Sequence, residues 1–169
     1  DRYRPRWPSE RYVAGVDYAE GKRVAGLHQE QGQLEQITGG TDAARLCAAR
    51  ARARLEAARL ADDEGRWADA YATAHEAYLG AAEATVLLLG FGSPTSGKRE
   101  SVVTTVAHAT LKPDTDAMAH AAVQGFLAGL AEARPERGAP TTSADDVTWA
   151  LDLAGRAVQA VEAAILALP

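Results

Sequence analysis

The sequence predicts a mainly α-helical protein, an up-and-down bundle of about five helices. A small three-stranded antiparallel β-meander and an extended N-terminal arm precede the bundle. Three observations carry this reading. Alanine is abundant and aromatic residues make up only 6% of the chain, a composition that suits closely packed helices. Apolar residues recur at three- and four-residue steps through most of residues 41–168. Residues 11–40 differ in character, with β-forming side chains between glycine-containing turns. The expected division is therefore an arm and meander over 1–40 and a helical bundle over 41–169. A chain of 169 residues is large enough for one good core.

Bulk properties exclude several classes. A net charge of −5 argues against a protein that binds nucleic acid over its whole surface. The single cysteine, Cys47, excludes an internal disulfide framework. No apolar run approaches the roughly 18–20 residues that span a bilayer. The opening DRYRPRWPSE has no apolar signal core, so a soluble cytoplasmic protein with no membrane contact is expected.

In the arm, Arg2, Arg4 and Arg6 alternate with Tyr3, Pro5 and Trp7. The prolines favour extended backbone. This pattern reads either as a strap docked on the bundle or as a grip for phosphates and bases. ERYVAGVDYAE, GKRVAGLHQEQ and GQLEQITGG then read as three strands, with turns at Glu20-Gly21-Lys22 and Gln31-Gly32-Gln33. VAGVDYAEGKRVAGL resembles the opening hairpin of an RNase H-like fold, which would make Asp17 a metal ligand. The chain has no later strands or convergent carboxylates to complete such a site, and two-metal chemistry needs several.

Residues 41–63 form the first predicted helix, capped by Thr41 after Gly39-Gly40. Ala44, Cys47, Ala48, Ala51, Leu55 and Ala58 mark its buried stripe. Arg45, Arg52 and Arg59 recur every seventh residue on another face, with Arg50 and Arg54 nearby. That row reads as a phosphate- or RNA-facing stripe, or as a solvated face paired with acidic helices. Cys47 is read as a small core residue. Residues 66–89 form the second helix and end in an all-round apolar run that belongs at the centre. Within it, His75 and Glu76 are adjacent and diverge by about 100° around the helix, so no metal site is expected.

GFGSPTSGKR breaks the helices. Gly92, Gly97 and Lys98 have the spacing of a phosphate loop, but Arg99 stands where Ser or Thr would hold magnesium. A short helix over 100–111 and a longer one over 114–133 follow. His108 and His120 are lone imidazoles. The loop over 134–142 leads to the last helix, 143–168, capped by Ser143 with Asp145 and Asp146 in its first turn.

The helix order and the segments RWADAYATAHEAYLGAAEATVLL and DDVTWALDLAGRAVQAVEAAI resemble the HEPN superfamily of helical bundles, over residues 41–168. Active members of that family are ribonucleases with an Arg-x4-6-His motif before the last helix. Here Arg134 and Arg137 supply the basic part and no histidine follows. The resemblance therefore implies a degenerate, non-catalytic member that forms a homodimer and binds a partner. Candidate ligand- or RNA-binding residues are Arg134, Arg137, Arg45, Arg52, Arg59, Lys98 and Arg99. No catalytic residue, metal or cofactor is expected, and RNA, a nucleotide or a larger protein is the candidate partner. The alternatives are a divergent ribonuclease or phosphate-handling hydrolase, in which His75 or His108 meets Arg134 or Arg137, and a structural accessory subunit.

Overall fold

The computed structural model describes residues 16–92, 99–111 and 143–168. The predicted arm, the start of the first predicted strand, the helix over 114–133, Arg134, Arg137 and Lys98 lie outside the described residues. Among these residues the chain is mainly helical, with five helices and one two-stranded antiparallel sheet. In order they are α1 (Tyr18–Glu30), β1 (Glu35–Gln36), α2 (Gly40–Asp63), α3 (Trp67–Leu88), β2 (Phe91–Gly92), α4 (Arg99–Leu111) and α5 (Ala144–Leu166).

The meander is the main correction. GKRVAGLHQEQ, expected as its middle strand, lies almost wholly in α1. Asp17 caps this helix: its Oδ1 accepts from the Glu20 backbone N–H at 3.0 Å. Glu20 in turn accepts from Arg23 one turn on. Asp17 is thus a helix cap, and its own N–H donates to the Thr110 carbonyl at 2.6 Å. The expected third strand shrinks to Glu35–Gln36 and pairs with distant residues, Glu35 opposite Gly92 and Gln36 opposite Phe91. Glycine signals misled the strand reading. Gly21 looks like a turn residue, yet it is where α1 crosses α4. A Cβ there would collide with the Thr110 hydroxyl and sit 3.0 Å from the Thr110 Cβ.

The other described helices follow their predicted spans closely, but Thr41 does not cap α2: the helix begins at Gly40, and its N-cap is Gly39 at φ 71°, with no side-chain cap bond. At Ser143 the cap is reciprocal. The Ser143 Oγ accepts from the Asp146 N–H at 3.2 Å, and the Asp146 carboxylate accepts from the Ser143 N–H at 2.9 Å. These bonds hold the Asp146 carboxyl below its usual range. Behind the cap, Val147, Ala150, Leu153, Ala154, Ala157, Val158, Val161 and Ala164 are buried. α3 is the central helix and packs on α2, α4 and α5. Small residues let it do so: an added Cβ at Gly80 would lie 3.1 Å from the Ala51 Cβ of α2.

The core has two lobes. One joins α2, α3 and α5 around Leu55, Tyr71, Tyr78, Val147, Val158 and Val161. The other joins α1, α3 and α4 around Tyr18, Leu34, Val86, Leu89, Phe91, Val103 and Val106. Ile165 packs against both. Buried Thr85 and Thr110 return their hydroxyls to the carbonyls four residues back, at 2.8 and 2.7 Å, so neither leaves a polar atom unmet. No helix among the described residues is long and apolar enough to cross a membrane.

The α1–α4 crossing yields a stability test. Alanine normally outranks glycine in a helix interior by about 0.5–1 kcal/mol. At position 21 the crowding against Thr110 reverses that preference, and Gly21→Ala is expected to destabilise by about 1–3 kcal/mol. Adding Thr110→Ala to that variant should restore part of the loss. Urea denaturation of the wild type, both single variants and the double variant measures the coupling, and additive effects would refute the crossing.

Candidate functional site: the arginine face of α2

Residues seven apart on a helix lie on nearly the same line, drifting by about 20° per step. α2 uses this spacing three times. Ala44, Ala51 and Ala58, with Ala48, Leu55 and Ala61, face the core. Arg45, Arg52 and Arg59 form one flank. Leu46, Ala53 and Leu60 form a crest that faces solvent, with Leu46 54% and Leu60 56% exposed. Ala49, Arg50, Ala53, Arg54 and Ala57 are exposed as well. Arg50 and Arg54 lie on the flank of the crest opposite Arg52.

Ion pairs tether this helix on both sides. Arg52 makes a two-point contact with Glu162 of α5, one bond being Nε to Oε2 at 3.1 Å. That carboxylate and Glu56 both hold the Arg52 guanidinium charged, Glu162 most strongly. Arg54 pairs with Glu76 of α3. Among the described residues Arg45 pairs with Asp42 on its own helix, at 3.3 Å. No carboxylate among the described residues pairs with Arg50 or Arg59. Between α2 and α5 lies an open groove of about 180 Å³, lined by Arg52, Arg59, Leu151, Asp152, Gly155, Arg156 and Gln159. Arg156 pairs with Asp152 at 3.1 Å across one turn of α5.

Of the predicted binding residues, Arg45, Arg52 and Arg59 share one flank. Arg99 is the first residue of α4, and its side chain lies outside the described residues. Sequence reasoning missed Arg156. It sits on the polar side of α5, and only the packing of α5 against α2 brings it to the groove.

Two other clusters bear on chemistry. His75 is buried, 6% exposed, and its Nε2 lies 2.7 Å from Glu100 Oε1 at the start of α4. Its partner is thus on another helix. Burial lowers the His75 pKa, and the attraction of Glu100 and Glu76 only partly opposes this. Nε2–H donates to the carboxylate, a bond that the ring can make whether neutral or protonated. Cys47, half-buried, lines a cleft of about 90 Å³ with Glu83, Val86, Leu87, Phe91, Gly92 and Val103. Gly92, the first glycine of the phosphate-loop spacing, pairs with Glu35 in the small sheet, and the preceding leucines end α3, Leu87 and Leu88 within it and Leu89 as its C-cap.

Comparison with protein-family models, curated proteins and solved structures finds no match to this chain in any of the three.

The buried imidazole predicts a pH effect. A His with a lowered folded-state pKa binds its proton more readily in the unfolded chain, so its contribution to stability falls as pH drops below about 6.5. The loss continues down to the folded pKa, at up to about 1.4 kcal/mol per pH unit. His75→Gln keeps a donor toward Glu100 but cannot titrate. Denaturation midpoints of wild type and His75→Gln should diverge in pH dependence between pH 5 and 7. Parallel profiles would refute the assignment.

Proposed function

We propose that this chain is a HEPN-like up-and-down bundle that works as a non-catalytic, homodimeric binding module, with the arginine face of α2 as its contact surface. One observation carries this reading. From position 45 to 59, α2 holds five arginines against one carboxylate, Glu56, in a chain of net charge −5. Asp42, Glu162 and Glu76 match Arg45, Arg52 and Arg54, so the attraction for anions rests on Arg50 and Arg59. Arg50 and Arg59 are available for a ligand without breaking an internal pair among the described residues, whereas Arg52 and Arg54 hold the bundle. The groove beside Arg59 adds a concave edge to this surface.

The ligand class the surface favours is anionic, with RNA, a nucleotide or an acidic protein segment within it. Burial of His75 weighs against that residue as the imidazole of the ribonuclease alternative, which must be open to a 2′-hydroxyl, and leaves half-buried His108 as its candidate.

Fluorescence anisotropy with a short single-stranded RNA and with an acidic peptide tests the reading. At least one probe should bind, with affinity falling as salt rises. Arg50→Ala with Arg59→Ala should weaken that binding by about tenfold, roughly 1.4 kcal/mol. If neither probe binds at low salt, the anionic surface is wrong. Light scattering on the eluting protein tests the homodimer, and a monomer at all concentrations refutes that part.

A further inference from the structure

Within that reading of α2 as the contact surface, we propose that its crest docks an amphipathic helix of a protein partner, one with acidic residues flanking its apolar stripe. The dimensions fit. Leu46 to Leu60 spans about 21 Å at 1.5 Å per residue, roughly four helical turns. A helical ligand engages a surface of that length through anchors at i, i+3 or i+4, and i+7. Leu46 and Leu60 stand proud at the two ends, and Ala49, Ala53 and Ala57 lie low between them. A facing helix can therefore seat its larger side chains over the alanines, ridge into groove.

Charge decides what kind of helix fits. Arg45, Arg52 and Arg59 border the crest on one side, Arg50 and Arg54 on the other. Glu56 is the single carboxylate in this stretch, and it lies on the Arg52 side, near enough to act on that guanidinium. Arg45, Arg52 and Arg54 already meet Asp42, Glu162 and Glu76, so carboxylates on the two shoulders of an incoming helix would meet Arg59 on one side and Arg50 on the other, which gives specificity and a faster approach.

The same charges disfavour the other occupants. Antiparallel pairing of two α2 crests would bring the Arg45, Arg52 and Arg59 row against its own copy. Parallel pairing would set that row against the partner's Arg50 and Arg54. Either arrangement juxtaposes like charges, so a second copy covers the crest poorly and any homodimer uses another face. Single-stranded RNA stacks its bases on aromatic side chains, and α2 has none. An RNA would leave both leucines wet.

The test uses the full chain and two synthetic helical peptides with one shared Leu/Ala face. One peptide carries Glu on both shoulders, the other Lys. The Glu-flanked peptide should bind and the Lys-flanked one should not. Leu46→Glu and Leu60→Glu should each weaken binding about tenfold or more. Leu27→Glu, at a 47% exposed leucine on α1, which packs on α4, should leave it unchanged. Circular-dichroism melts establish that each variant is folded, as expected for exposed positions.

Equal binding of both peptides, or binding indifferent to Leu46→Glu and Leu60→Glu, overturns the proposal. So does self-association of the chain that either crest variant abolishes. RNA binding through Arg50 and Arg59 with no peptide binding also overturns it, while leaving the anionic surface intact. Failure of every anionic probe removes both.

Discussion

Close approach of α3 to its neighbours is the constraint from which the rest follows. Its inward surface is largely alanine: Ala70, Ala74, Ala77, Ala81, Ala82 and Ala84 are all buried. Each alanine removes little apolar area from water, so the core gains by tight contact between helices more than by large side chains. Gly80 against Ala51 shows how near α2 comes. Tyr71 and Tyr78 fill the spaces that alanines leave, and burial raises the Tyr78 phenol well above its ordinary pKa. With α3 at the centre, α2 and α5 close one lobe of the core while α1 and α4 close the other.

This economy shapes the outside of the molecule. α2 spends its alanines inward at 44, 48, 51, 58 and 61, with Leu55 the one large side chain on that face. Its two other leucines consequently stand in solvent. A lone exposed leucine is ordinary on a protein surface. Two in the same line, joined by alanines and bordered by arginines, make an organised strip. The ion pair from Arg52 to α5 is partly buried and that from Arg54 to α3 is exposed; pairs of this kind add modest stability at most. The buried row Ala44, Ala48, Ala51, Leu55 and Ala58 fixes the rotation of α2 about its axis, which sets the direction in which the crest faces.

A second consequence concerns His75. Packing α4 against α3 encloses the imidazole and brings Glu100, in the first turn of α4, onto its Nε2. A carboxylate at a helix N-terminus is favoured by the helix dipole, so Glu100 serves both the helix start and the buried ring. The arrangement ties two helices together and removes the imidazole from solvent. It makes His75 a structural group that responds to acid.

The sequence by itself determined the helices whose signals are local. Ser143 with Asp146, the core spacing of α2 and the apolar end of α3 each declare an element within a few residues, because caps and periodicity are properties of neighbouring residues. The same local logic was present in Asp17-Tyr18-Ala19-Glu20, an N-terminal cap signature, but the glycines at 21 and 26 and the β-formers before them concealed it. Tertiary structure decided α1, since Gly21 is there to admit Thr110 and not to turn the chain. It also decided the pairing of Glu35–Gln36 with Phe91–Gly92, the meeting of His75 with Glu100 and the arrival of Arg156 beside Arg59. The arginine row was legible as a row. Which of its members are held by carboxylates on other helices, and which face outward with the leucines, depends on contacts between distant segments that no local pattern encodes.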